Sequence, residues 1–160
     1  EEYTRLLAEE RRKGKKSDPV PPPVALDSPP AKKIPPLWMQ ACDRTLRKLH
    51  RHRSAWPFTD PVDPEALNLP DYFDVVKTPM DLTTVRTKLD TFVYDSAEDF
   101  VTDVRLTFDN ALLYNPPTDR VHQLALIMSD CFERDWIKEE AKLEAKGVRV
   151  NVGRIPPRAP

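Results

Sequence analysis

Between Ala55 and Pro79 the chain reads AWPFTDPVDPEALNLPDYFDVVKTP, and this stretch limits the possible folds more than any other. It holds five prolines in 25 residues. Proline fixes φ and has no N–H, so neither a long helix nor a central strand can run through the segment. Yet it is rich in apolar residues: Trp56, Phe58, Val62, Leu67, Leu69, Tyr72, Phe73, Val75 and Val76. A loop this long and this apolar is unusual inside a compact domain, and such loops usually carry function.

The flanking segments have helical periodicity. Before the loop, Trp38, Cys42, Leu46 and Leu49 recur every three or four residues, which predicts an amphipathic helix from Leu37 to near Arg53. After it, Asp81 can cap a short helix through Leu89, with Leu82, Val85 and Leu89 on one side. Ser96 followed by Asp99 resembles a capping box. The helix it opens carries Phe100, Val104, Phe108, Ala111 and Leu112 on one stripe and runs to Tyr114. Asn115 then meets Pro116, and a residue before proline is pushed out of the α region. Thr118 or Asp119 can cap the last helix, whose stripe is Val121, Leu124, Met128, Phe132 and Trp136, before it fades into KEEAKLEAK ahead of Gly147. No core segment alternates with period two for long enough to make a sheet. The fold class is all-α, with four helices and a long apolar loop between helices 1 and 2.

Composition separates this core from its ends. Eight of the 18 prolines lie between Ser17 and Pro36, and three more lie in the last five residues. Polar proline-rich chain cannot bury enough apolar surface to order itself. The expected organisation is a flexible segment over 1–35, an ordered domain over 36–146 and a flexible tail over 147–160. Within the first segment, RRKGKK fits a solvated charge run better than an import signal, and PVPPP fits a spacer better than a docking motif.

Several function classes are excluded. A net charge of −1 argues against a dedicated nucleic-acid binder. No apolar run reaches the ~18 residues needed to span a membrane, and the charge throughout the N-terminal residues leads to the expectation of no secretory signal. Cys42 and Cys131 have no CxxC or His/Cys cluster around them and fit two free thiols in an intracellular protein. His50, His52 and His122 lack partners at metal or triad spacing, and no phosphate loop is present. The expectation is therefore no enzyme, no cofactor and no metal. Met80 and Met128 read as core.

In an antiparallel bundle, the connections between helices 1 and 2 and between helices 3 and 4 lie at the same end. The apolar loop and the Asn-Pro-Pro loop would then share a mouth. Its wall would be Pro57, Phe58, Val62, Leu67, Leu69 and Val121, with the amide of Asn115 and the hydroxyls of Tyr72 and Tyr114 converging on it. An apolar cleft with a few placed polar groups is the usual form of a small-ligand site.

WPF at Trp56 to Phe58, NLPDYFDVVKTPMDL at Asn68 to Leu82 and YNPPTDRV at Tyr114 to Val121 resemble a bromodomain, most closely the branch with a Trp-Pro-Phe shelf. The similarity covers Pro36 to Lys146. It implies a left-handed antiparallel four-helix bundle that reads acetylated lysine. On that resemblance Asn115 donates to the acetyl carbonyl, and Tyr72 reaches the same oxygen through a water. Trp56, Pro57 and Phe58 form the shelf, Val62, Leu67 and Leu69 the loop wall, and Val121 the gatekeeper. The double proline after Asn115 departs from relatives that have one, and the small Val121 leaves the pocket open beside the shelf.

The implied partners are acetylated lysine peptides, above all histone tails, and other chromatin proteins. No direct nucleic-acid or membrane contact is implied, and the implied location is nuclear. An acidic loop (Asp60, Asp63, Glu65, Asp71, Asp74) would draw a basic tail. Two alternatives stay open: an interaction scaffold using the bundle surface and proline-rich tail, or a reader of non-histone acetylated proteins.

Overall fold

The periodic segments form helices close to where their patterns predict. A computed structural model describes residues 34–158, so the expectations for the charged N-terminus, RRKGKK and PVPPP fall outside the described residues. Helix α1 spans Leu37–Arg51, a 3₁₀ turn spans Trp56–Phe58, and a one-turn helix α2 spans Tyr72–Val75. Helix α3 spans Leu82–Asp90, α4 spans Ala97–Tyr114 and α5 spans Arg120–Ala145. The four long helices form the expected all-α antiparallel bundle, and α2 is an added element inside the long loop. The described residues from Pro35 onward form one compact unit.

The helix starts follow cap chemistry. Asp81 accepts from the Thr84 amide at 2.8 Å, Ser96 from the Asp99 amide at 3.4 Å and Asp119 from the Val121 amide at 2.8 Å. Each such cap stabilises its helix by about 1 kcal/mol. Helix α1 stops at Arg51 rather than near Arg53, because His52 turns to extended backbone and its Nδ1 accepts from the Ser54 amide at 3.0 Å.

The core holds the predicted stripes. Cys42, Leu46 and Leu49 of α1 are fully buried, as are Phe100, Val104 and Phe108 of α4 and Met128, Phe132 and Trp136 of α5. Phe100, Phe132 and Trp136 pack as an aromatic cluster with centroids 6.0–6.4 Å apart, a geometry that adds to plain area burial. Burial also pushes the Cys42 thiol above its ordinary pKa, so it packs as an apolar group.

Charged pairs clasp each neighbouring helix pair in turn. Asp43 to Arg86 joins α1 and α3 at 2.7 Å, and Lys88 to Asp103 joins α3 and α4 at 2.6 Å. Arg105 makes a two-pronged contact with Glu133 between α4 and α5 at 2.8 and 2.9 Å. Arg44 to Glu139 closes the ring between α1 and α5 at 2.8 Å. Two-pronged guanidinium pairs fix orientation as well as distance.

Residues 147–158, in the stretch expected to be a flexible tail, carry contacts to the bundle. Val148, Val150 and Val152 pack against the core. The Asn151 amide donates to Glu98, and Arg105 donates to the Gly153 carbonyl.

Candidate binding cleft

The 3₁₀ turn sets one wall of the mouth. Phe58 points inward, is 4% exposed and meets Phe108 of α4 edge-on at 5.3 Å. Two residues earlier Trp56 is 60% exposed. One WPF residue thus anchors the turn in the core while another stands out as a ledge.

The rest of the loop is tied down at several points. The Thr83 amide donates to the Thr59 carbonyl at 3.1 Å, and Asn110 Nδ2 of α4 donates to the Thr78 carbonyl at 2.8 Å. Asp63 turns the chain by accepting from the Glu65 and Ala66 amides. Asn68 sits at φ 54°, a left-handed conformation that asparagine tolerates. These bonds hold an apolar loop in one shape although it has little regular structure.

Between this loop and the α4–α5 connection lies a cleft of about 210 Å³. Trp56, Pro57, Phe58, Val62, Leu67, Leu69, Tyr72, Tyr114, Asn115 and Val121, the ten residues expected from sequence, all line it. Asp60, Met80, Thr107 and Ala111 line it as well, and sequence reasoning did not place them there. Met80, expected as core, is only half-buried because it stands on the cleft wall. Met128 is fully buried, as a core residue.

The polar groups divide into committed and available ones. The Tyr114 hydroxyl, expected to converge on the cleft, instead donates to Asp71 at 2.7 Å. That bond raises the Tyr114 phenol pKa, and its ring packs on Tyr72 with centroids 4.9 Å apart. Tyr72 is 6% exposed, and its hydroxyl bonds no protein group among the described residues. Burial pushes its phenol above the ordinary value, so it stays a neutral donor.

Asn115 ends α4 in extended backbone at φ −92°, ψ 132°. Its main-chain N–H and its Nδ2 both donate to the Ala111 carbonyl, each at 3.0 Å. A carboxamide nitrogen carries two hydrogens, so one remains free to donate into the cleft. The Asn115 carbonyl accepts from His122 Nδ1 at 2.7 Å. His122, to which the sequence assigns no chemistry, holds the backbone of the central amide. Among the described residues no group of three or more potential metal ligands occurs.

A bromodomain profile matches residues 42–127, from within α1 to the first turns of α5. Transcription factor GTE10 of Arabidopsis thaliana is 49% identical over 105 residues, covering 66% of this chain and 10% of that protein. Transcription factor GTE3, chloroplastic, of the same plant is 44% identical over 106 residues, covering 66% and 23%. The SWR1 complex bromodomain subunit bdf1 of Schizosaccharomyces pombe is 37% identical over 118 residues, covering 72% and 20%. The chain thus spans a quarter or less of the length of these relatives. A match over more than half its length, carried by the helices and loops that build the cleft, places this chain in the bromodomain family.

Proposed function

We infer that this protein is a non-catalytic reader of acetylated lysine, and that acetylated histone tails are its main ligands. The observation that carries the reading is that Asn115, with an amide hydrogen left over, and Tyr72, whose hydroxyl has no partner among the described residues, line one cleft with apolar walls. Acetylation removes the lysine charge and leaves a small amide with a methyl end. Such a group needs one good partner at its oxygen and apolar surface for its carbons.

An unmodified ammonium meets the opposite conditions. Inside the cleft it would find neutral dipoles and apolar carbon but no buried counter-charge among the described lining residues, and desolvating an ammonium without a counter-charge costs many kcal/mol. Asp60, the one carboxylate among the described lining residues, is exposed to water and offers little compensation. Selectivity then arises from a charge penalty against the bare amine.

The relatives named as transcription factors and as a bromodomain subunit of the SWR1 complex support a nuclear role in recruiting or anchoring a chromatin or transcription complex. The segment over 36–146 is the part that performs the reading. An array of acetylated histone and non-histone peptides, probed with the wild type and Asn115→Ala, tests this. The reading expects acetyl-dependent spots, strongest on histone tails, that fade in the variant. Spots independent of acetylation would refute it.

A further inference from the structure

A second concavity shares a wall with the cleft. Trp56 lines both, and the neighbour is an open groove of about 610 Å³ on the far side of the ledge. Arg53 follows the end of α1, Arg120 opens α5, and both line this groove with Thr118, Gln123 and Ile127. None of the described residues lining it carries a carboxylate. Arg53 and Arg120 are exposed, and neither has an ion-pair partner among the described residues. Asp119, next to Arg120, is half-buried and committed to capping α5.

The charges around the ledge are sorted by sign. Lys48, Arg51 and Arg53 lead up to the ledge with no Asp or Glu from Arg44 to Thr59, whereas Asp60 to Val76 holds five Asp or Glu residues and no Lys or Arg. Arg44 and Arg47, further back on α1, are paired with Glu139 and Asp43. The Trp56–Phe58 turn is the junction between the two runs. A peptide seated with one side chain in the cleft therefore passes from a negative surface over the loop to a positive one beyond Trp56.

We propose that the Arg53–Arg120 groove accepts an anionic side chain, phosphorylated or carboxylate, on the same peptide whose acetyl-lysine fills the cleft. The inference rests on the acetyl-lysine reading above and adds a direction to it. A phosphate carries more charge than a carboxylate and offers three acceptor oxygens, which two guanidinium forks can grip. Phosphoserine or phosphothreonine is therefore preferred over glutamate. The ligand is a peptide with basic residues on one side of the acetyl-lysine and an acidic or phosphorylated residue on the other.

The test is a set of acetyl-lysine peptides with serine, glutamate or phosphoserine moved one position at a time through both flanks. Affinities are measured by fluorescence anisotropy for the wild type and for the double variant Arg53→Gln, Arg120→Gln. On one flank only, phosphoserine is expected to tighten binding roughly three- to ten-fold over serine, with glutamate between them. The double variant loses that gain and keeps the affinity for the serine peptides. A gain that survives the double substitution, appears equally on both flanks or appears nowhere overturns the groove. Acetyl-dependent binding absent from every peptide overturns the reading of the cleft and this coupling together. Acetyl-dependent binding without a one-sided gain overturns the groove alone.

Discussion

His122 Nδ1 donates to the main-chain carbonyl of Asn115 at 2.7 Å, tying the end of α4 to the first turn of α5. Neither proline that follows has an N–H, yet each offers a carbonyl. Pro116 accepts from the Asp119 amide at 2.8 Å, and Pro117 accepts from the Gln123 side chain. Donors at the start of α5 thus hold all three carbonyls of the Asn-Pro-Pro loop. The double proline stiffens the connection, and His122 and Gln123 set its position.

His122→Leu should therefore weaken acetyl-lysine peptide binding by about 0.5–1.5 kcal/mol, the usual worth of one such bond. His122→Asn, whose amide nitrogen can stand close to where Nδ1 stands, should restore most of it. Calorimetric titration of both variants, with melting curves to follow folding, checks this. Equal losses in the two variants would rule out the donor role.

Tyr114→Phe should leave peptide affinity close to that of the wild type, because the hydroxyl is spent on Asp71 and the ring still packs on Tyr72. Tyr72→Phe should weaken binding more, since it removes a hydroxyl with no protein partner among the described residues. Side-by-side titrations decide the order. A larger effect at Tyr114 would mean that its hydroxyl leaves Asp71 to meet the ligand.

The bundle was legible because its signals are local. Asp81, Ser96 and Asp119 have the chemistry of caps, and the stripes from Phe100 to Phe108 and from Leu124 to Trp136 have helical spacing. The cleft residues on the long loop were legible because apolar side chains between prolines have no helix to pack into. Thr107, Ala111 and Met80 were not, since they share faces with core residues and only the fold shows which positions open on the mouth. Helix α2 has four residues, too few for any period to appear. The Asn115 to Ala111 bond and the His122 contact depend on backbone placement that composition cannot encode. The alternation of Val148, Val150 and Val152 was a usable sign of an extended strip with one face against the bundle.

Acid should weaken the clasp between α1 and α5. The Arg44 guanidinium bonded to Glu139 holds that carboxyl below its ordinary value of 4.5, and the Asn151 amide does the same for Glu98. A carboxyl lowered in the folded state contributes stability above its ordinary value, and the contribution is lost as pH falls through the lower folded value. At neutral pH Glu139→Gln should cost about 1–2 kcal/mol, less than a buried pair because Arg44 is half-exposed. Thermal melts across pH should show the gap between wild type and variant closing below pH 4.5. A gap constant with pH would contradict the assignment.

Salt should weaken the binding of a basic acetylated peptide. Asp60, Asp63, Glu65, Asp71 and Asp74 are exposed on the loop beside the cleft, where their field attracts a cationic tail until ions screen it. Titrations at rising ionic strength should give falling affinity, mainly through slower association. Affinity unchanged from low to high salt would show that these carboxylates take no part.

The central claim is that a neutral slot around Asn115 admits an acetylated amine and refuses the bare cation. Calorimetric titration of one peptide in acetylated and unmodified forms, against the wild type and Asn115→Ala, tests it most directly. The acetylated peptide should bind the wild type with a Kd on the order of micromolar to sub-millimolar, and the unmodified one should give no measurable heat. Asn115→Ala should lose about 1–3 kcal/mol for the acetylated peptide. Equal affinity for the two peptides, or undiminished affinity in a folded Asn115→Ala protein, would contradict it.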